Sequence, residues 1–142
     1  MENTRSRSQT TIAVIGGAVV IAVLLFVLQL PGLSIRGLVV GERVVGGGQF
    51  WLLEFIAGAL TSAIITGVAV LLFRRLMLWM GAMSVVLQLA WLVLTQTFHA
   101  PADSIVEILF RSAECAGIVA GAAIAIFVAR GIFNARATSA KT

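Results

Sequence analysis

Four long apolar runs constrain this chain more than any other feature of its sequence. They cover about residues 11–30, 50–73, 76–98 and 105–133. Each is close to the ~20 residues that an α-helix needs to cross the hydrocarbon layer of a bilayer. Lipid offers no hydrogen-bond partner to a backbone group, so segments that span it must be helices. The sequence therefore predicts an all-α integral membrane four-helix bundle, with residues 1–142 forming a single four-span domain.

Composition excludes water as the solvent for most of the surface. Hydrophobic residues make up 60% of the chain and charged residues 11%, with a mean hydropathy of +1.07. A soluble domain carries roughly 25% charged residues. The net charge of +4 does not indicate a nucleic-acid partner, because the basic residues are few and no basic face recurs at helical spacing. We therefore expect a lipid bilayer, and no nucleic acid, around this protein.

The distribution of basic residues predicts the orientation of the four spans. One set of flanks carries seven of them, whereas the other carries Arg36 and Arg43, with Arg111 at the border. The seven are Arg5, Arg7, Arg74, Arg75, Arg130, Arg136 and Lys141. Cytoplasmic flanks are enriched in Arg and Lys, so both termini are predicted to be cytoplasmic. Residues 31–49 then form a 19-residue external loop, in which the LVV-GER-VV pattern allows a short hairpin.

The Arg74–Arg75 pair leaves almost no room for a loop between the second and third spans. Two arrangements fit this spacing. Either the turn is very tight, or the LMLWMG segment, residues 76–81, lies along the inner membrane surface before the third span begins.

Several polar residues fall at one predicted depth. Counting about 20 residues from Arg74 or Arg75 reaches Glu54 on the second span and His99 after the third. The same count back from Arg130 reaches Arg111 on the fourth span. Glu107, Arg111 and Glu114 follow the i, i+4, i+7 spacing that shares one helix face, so Arg111 can reach both carboxylates. We therefore predict a polar outer cluster of Glu54, His99, Glu107, Arg111 and Glu114.

Three interpretations of this outer cluster remain open. It is a salt-bridged turn that fixes the helix register, an outward-facing substrate or proton site, or a docking surface for a partner protein. Glu54 has no cation near it on its own span, so it must find Arg111 or His99, or take up a proton. His99 has no further ligands at suitable spacing, so no metal site is predicted.

Small residues recur at the spacing that lets membrane helices approach closely. Gly117 and Gly121 form a GxxxG motif, and Gly58 and Ser62 begin a similar stripe that Thr66 continues on the second span. We predict that these two stripes pack on each other within the bundle. Dimerisation through the Gly117–Gly121 face is the alternative.

No catalytic or cofactor pattern is present in the sequence, so we expect no enzymatic activity and no cofactor. The one His and the one Cys, Cys115, do not form a credible catalytic set, and paired carboxylates are separated by Arg111. The sequence favours a small, non-enzymatic helper or interaction subunit with a membrane-protein partner or a second copy of itself. The alternatives are a small transporter or channel with an outward-facing polar site, and a phage or prophage-type holin or exclusion factor. The excess of Arg over Lys, with abundant Ala, Gly and Val, fits a GC-rich bacterial genome, so we expect the membrane to be a bacterial cytoplasmic membrane.

Overall fold

The computed structural model describes residues 2–28, 30, 35–40, 50–99 and 105–139. Within these residues the protein is entirely helical and contains no strand. The elements in chain order are α1 (Glu2–Leu28), α2 (Ile35–Val40), α3 (Phe50–Leu72), a 3₁₀ turn (Arg74–Leu76), α4 (Met77–His99) and α5 (Ile105–Ser139). The Gly46–Gly48 run, Arg43 and Lys141 lie outside the described residues.

Four of these helices are long and apolar enough to cross a membrane, as the sequence predicts. The spanning portions are Gln9–Leu28, Trp51–Leu72, Arg74–Thr95 and Arg111–Arg136. Helix α1 begins at Glu2, well before the predicted apolar run, and α5 continues beyond its apolar run to Ser139. The chain is therefore a membrane-embedded helical protein with polar extensions of its first and last helices.

The connection between α3 and α4 is the tight turn that the Arg74–Arg75 spacing allows. Phe73 donates its backbone N–H to the Ala69 carbonyl at 3.0 Å, and Leu76 donates to the Phe73 carbonyl at 2.9 Å. These bonds reverse the chain within one 3₁₀ turn, and α4 begins at Met77. The alternative of a separate surface segment before the third span is wrong.

The 31–49 connection contains a short helix where a hairpin was considered. Residues 35–40 form α2, which packs against α3. The first arm of the suggested hairpin, Leu38 to Val40, is therefore helical. The remainder of that pattern, residues 41–45, lies outside the described residues.

Helices α3 and α5 form the most intimate pair in the bundle. A Cβ on Gly117 would meet the Phe55 carbonyl oxygen, and a Cβ on Gly121 would meet the Ala59 carbonyl oxygen. On the facing side, a Cβ on Gly58 would lie 2.7 Å from the Glu114 carbonyl oxygen. The backbones of α3 and α5 thus approach each other at positions where only glycine fits.

Helix α4 joins this pair, and α1 lies at the edge of the bundle. Gly81 on α4 faces Ile126 of α5, and Gly17 on α1 faces the side chains of Met80 and Met83. A shared apolar core collects buried residues from all four spans: Ile21, Leu25, Ile65, Ala69, Val70, Met80, Ala129 and Phe133. Only 17% of the α1 span is buried against 39% of the α3 and α5 spans, so α1 is the least embedded helix.

Contacts at one end of the bundle fix the relative direction of the helices. The Arg74 guanidinium lies 4.3 Å from the centroid of the Phe133 ring, late in α5. A Cβ on Gly16 of α1 would lie 3.5 Å from the Phe73 ring. We call this the arginine end, after Arg74 and Arg75, and the opposite end, at Glu54, the acidic end. Helices α3 and α5 therefore run parallel, and both extend from the acidic end to the arginine end.

Candidate functional site

Four hydrogen-bonding side chains are enclosed between α3 and α4, and we call them the polar seam: Ser62, Thr66, Ser84 and Gln88. Ser62, Thr66 and Ser84 are fully buried, and Gln88 is 3% exposed. Ser62 and Thr66 are four residues apart on α3, and Ser84 and Gln88 are four residues apart on α4. This spacing turns each pair toward one helix face, so the two pairs meet across the interface.

Gln88 is the centre of the hydrogen bonds in the polar seam. Its Nε2 group donates to the Ser84 hydroxyl oxygen at 2.8 Å, and it lies 3.2 Å from the Ser62 hydroxyl and from the Ser84 carbonyl oxygen. Ser84 in turn shares a 2.8 Å hydrogen bond with the Thr66 hydroxyl. Three side chains on two helices are thus linked to one amide nitrogen, directly or through Ser84.

The polar seam lies near the middle of the hydrocarbon layer. At a helix rise of 1.5 Å per residue, its members are about 12–20 Å from the Arg74–Arg75 turn along their helices. The hydrocarbon layer is about 30 Å thick. Buried polar groups at this depth are costly unless they are hydrogen-bonded, since lipid cannot replace water as a partner.

One hydrogen-bond acceptor in the polar seam takes no part in these bonds. The Gln88 Oε1 atom is buried and accepts no hydrogen bond from the described residues. An orphaned buried carbonyl carries a desolvation cost of about 1–3 kcal/mol. The polar seam therefore contains one buried acceptor that receives no hydrogen bond from the described residues.

A second set of polar groups lies at the acidic end of α3 and α5. Glu54 is only 1% exposed, and Glu114 lies against Gly58, one turn further along α3. Because α3 and α5 run parallel with Gly58 level with Glu114, one turn back on each helix places Glu54 level with Arg111. Glu54, Arg111 and Glu114 each have an interaction partner in the structure. The register thus brings these charges to the same end of α3 and α5, where an arginine can offset two carboxylates.

The outer cluster stays a prediction, and the structure describes three of its five side chains. Glu54 is buried, and Arg111 and Glu114 are half-buried. The backbone of His99 ends α4 and that of Glu107 lies in the first turns of α5. The side chains of both fall outside the described part of the chain, so their membership of the cluster stays a prediction.

The polar residues of α4 make two kinds of hydrogen bond. Gln88 joins the polar seam, but Thr95 donates to the carbonyls of its own helix, at Trp91 (2.9 Å) and Leu92 (3.2 Å). Of the four predicted packing residues, Gly58, Gly117 and Gly121 contact the facing backbone. Ser62 instead bonds to α4 through Gln88.

Sequence reasoning missed Ser84 altogether, and treated Thr66 only as a small residue in a packing stripe. A signal was present, because Ser62/Thr66 and Ser84/Gln88 repeat the same four-residue spacing at the same distance from the Arg74–Arg75 turn. Matching polar pairs by depth across neighbouring spans would have found the polar seam.

The polar groups of both sets can form hydrogen bonds and ion pairs. Among the described residues no three His, Cys, Asp or Glu side chains are grouped as a metal site would require. Cys115 is a free thiol on α5. The hydroxyls and the amide of the polar seam can donate and accept hydrogen bonds, and the Glu54 carboxylate can accept them.

Comparison of the chain with protein-family models, with curated proteins and with solved structures gave no match.

Proposed function

We propose that this protein is a small, non-enzymatic helper or interaction subunit that works inside the bilayer through helix contacts. One observation carries the proposal: the buried hydroxyl and amide side chains of α3 and α4 bond to each other across the helix interface. The polar seam joins α3 to α4, and Glu114 lies against Gly58 of α3. What remains for contact outside the bundle is an apolar, lipid-exposed surface, which suits a partner that is itself embedded in the membrane.

We further propose that the protein resides in a bacterial cytoplasmic membrane with both termini in the cytoplasm. The excess of basic residues at the arginine end supports this orientation. Single cysteines introduced at Ser139 and at Glu42, in a Cys115→Ala background, test it in whole cells. A membrane-impermeant maleimide is expected to modify the Glu42 position before lysis, and the Ser139 position only after lysis. The opposite pattern would invert the topology.

Site-specific photo-crosslinking in the native host tests the interaction role. A photoreactive amino acid is placed at one exposed position on each spanning helix: Val23, Leu60, Val93 and Phe127. A docked polypeptide gives a discrete adduct from one helix or from two neighbouring helices, and its mass shows whether it is a second copy of this chain. Adducts with lipid alone at all four positions would contradict the proposal.

A small transporter or channel is the second candidate, and the depth of the polar groups favours it. Glu54 at the acidic end is followed on the same face of α3 by Ser62 and Thr66, so polar groups continue inward to mid-membrane. Intramembrane polar and ionisable residues often mark ion or proton pathways.

Purified protein in liposomes separates the two candidates. A transporter should give a pH or ion flux above that of empty vesicles, and Glu54→Gln should abolish it while the variant still folds. The matched control is Ser112→Ala, because Ser112 is exposed and bonds only to the carbonyl of Ile108 in its own helix. No flux from the unmodified protein leaves the interaction role as the better account.

A further inference from the structure

We propose that the groove at the arginine end binds the headgroup of an anionic phospholipid, with its phosphate held by Arg74 and Arg75. The groove has a volume of about 290 Å³ and lies where α1 passes the turn between α3 and α4. Its lining combines the two arginines with four apolar residues: Ala13, Leu72, Phe73 and Leu76.

The shape of the groove follows from small residues on α1. Ala13 lines the groove, and a Cβ on Gly16, one turn later, would lie at ordinary van der Waals distance from the Phe73 ring. Helix α1 therefore passes close to the turn at Gly16 and leaves a gap beside Ala13. A larger side chain at residue 13 would occupy this gap.

Both arginines are exposed and can contact a phosphate, but within the described residues only Arg74 is held by an aromatic ring. Arg74 is exposed and is positioned by the face of Phe133 on α5, 4.3 Å away, which fixes its direction without neutralising its charge. Arg75 is exposed, and none of the described acidic side chains pairs with it. An adjacent pair of guanidinium groups, one of them held by an aromatic ring, is suited to bidentate contact with phosphate oxygens.

Charge complementarity at this end of the bundle favours an anion. The chain has six acidic residues, and by the order of the spans only Glu2 belongs to the flanks that carry Arg74 and Arg75. Seven basic residues belong to the same flanks. A phosphate that approaches the groove therefore meets a field that the protein's own carboxylates do not cancel.

The position of the groove identifies the anion as a lipid and not a free ion. The spanning portion of α3 ends at Leu72 and that of α4 begins at Arg74, so the groove lies at the boundary of the hydrocarbon layer. Leu72 is 62% exposed there and forms an apolar wall directly beside the arginines. A molecule with a phosphodiester and acyl chains satisfies both parts of the groove, and basic pockets between membrane helices bind such headgroups.

Native mass spectrometry of the purified protein in detergent tests this site with two lipids of identical acyl chains. Phosphatidylglycerol is expected to bind more tightly than phosphatidylcholine, with each arginine contributing about five-fold. Arg75→Gln should lower the phosphatidylglycerol affinity by about five-fold and the phosphatidylcholine affinity by less, because the choline cation offsets the phosphate charge. Arg75 makes no ring contact with the described residues, so this variant carries the test even if Arg74→Gln disturbs the fold.

Two matched controls separate a defined site from general surface charge. Arg136→Gln removes an exposed charge at the same end, beyond the groove, and should change the affinity less than two-fold, given screening of distant charges over roughly 10 Å. Ala13→Phe should weaken phosphatidylglycerol binding without changing any charge, whereas Ile12→Phe, at an exposed neighbour, should not.

Four results would overturn the proposal. They are equal binding of the two lipids, equal losses from Arg75→Gln and Arg136→Gln, no loss from Ala13→Phe, and displacement of phosphatidylglycerol by millimolar inorganic phosphate. The last result would show a site for free anions in place of a lipid site.

Discussion

Thr66 on α3 and Ser84 on α4 share a hydrogen bond of 2.8 Å between two fully buried hydroxyls. This bond joins adjacent antiparallel helices near the middle of the hydrocarbon layer, at a similar distance from the turn that connects them. Hydrogen bonds between membrane helices contribute about 0.6 kcal/mol on average, because the unfolded chain in the membrane also finds partners. The bond therefore contributes more to the specificity of the α3–α4 pairing than to its stability.

Replacing Thr66 by valine should lower the free energy of unfolding by about 0.5–1 kcal/mol, since the two side chains have nearly the same shape and only the hydroxyl is lost. Reversible unfolding in mixed micelles of increasing SDS content measures this change. Thr61→Val is the matched control, because Thr61 lies on the same helix and makes no side-chain hydrogen bond within the described residues. Equal losses in the two variants would show that the Thr66–Ser84 bond contributes nothing.

Gln88 should tolerate leucine better than glutamate. Leucine loses the Nε2 hydrogen bonds to Ser62 and Ser84, but it also removes the buried Oε1 acceptor that no described residue satisfies. The two effects oppose each other, so Gln88→Leu should change the unfolding free energy by less than about 1 kcal/mol. Gln88→Glu replaces the donor with a carboxyl group and should cost about 2.5–3.5 kcal/mol if it stays ionised at this depth. The same mixed-micelle titration ranks them, and a more stable glutamate variant would refute this account of the seam.

Gly121→Ala and Gly117→Ala should each destabilise the bundle by about 1–3 kcal/mol. The new methyl groups would meet backbone atoms of Ala59 and Phe55 on α3, which cannot move aside without separating the helices. The expected signature is a lower unfolding free energy together with faster proteolysis of the α3–α5 region.

Gly131→Ala is the control for these two glycine variants, because a Cβ at Gly131 would meet nothing within 4 Å. It should be neutral or slightly stabilising, since alanine favours the helix over glycine. Gly17→Ala should have an intermediate effect, because the atom in its way is the flexible end of Met80. If all four variants behaved alike, helix propensity and not close packing would explain the result.

The helical fold was predictable from sequence because lipid removes the alternatives. An apolar run that spans the membrane must form a helix, and the Gly58, Gly117 and Gly121 spacing indicated which two helices approach most closely. The short hairpin suggested near Leu38 was wrong for its first arm. β-branched and apolar residues indicate strands in water, but residues 35–40 form a helix that packs against α3.

The polar seam was less predictable, because a hydroxyl in a membrane helix has two ways to bond. Thr95 bonds to carbonyls of its own helix, whereas Thr66 bonds across to Ser84. The sequence around the two threonines does not separate these outcomes, and only the relative rotation of α3 and α4 decides them. The burial of Glu54 could not be predicted either, since a count of residues gives depth in the membrane but not the direction in which a side chain points.

Loss of Arg111 should harm this protein more than loss of Glu54. Glu54 is 1% exposed, Glu114 lies against Gly58, and the parallel register of α3 and α5 places Arg111 level with Glu54. Arg111→Gln leaves both carboxylates without this cation, whereas Glu54→Gln leaves one carboxylate with it. Because Arg111 is half-buried, its loss should cost about 2–3 kcal/mol, between the values for exposed and buried pairs.

In the Arg111→Gln background, Glu54→Gln should restore part of this loss. A double-mutant cycle in mixed micelles measures the coupling. Additive effects would place Glu54 and Arg111 in separate interactions.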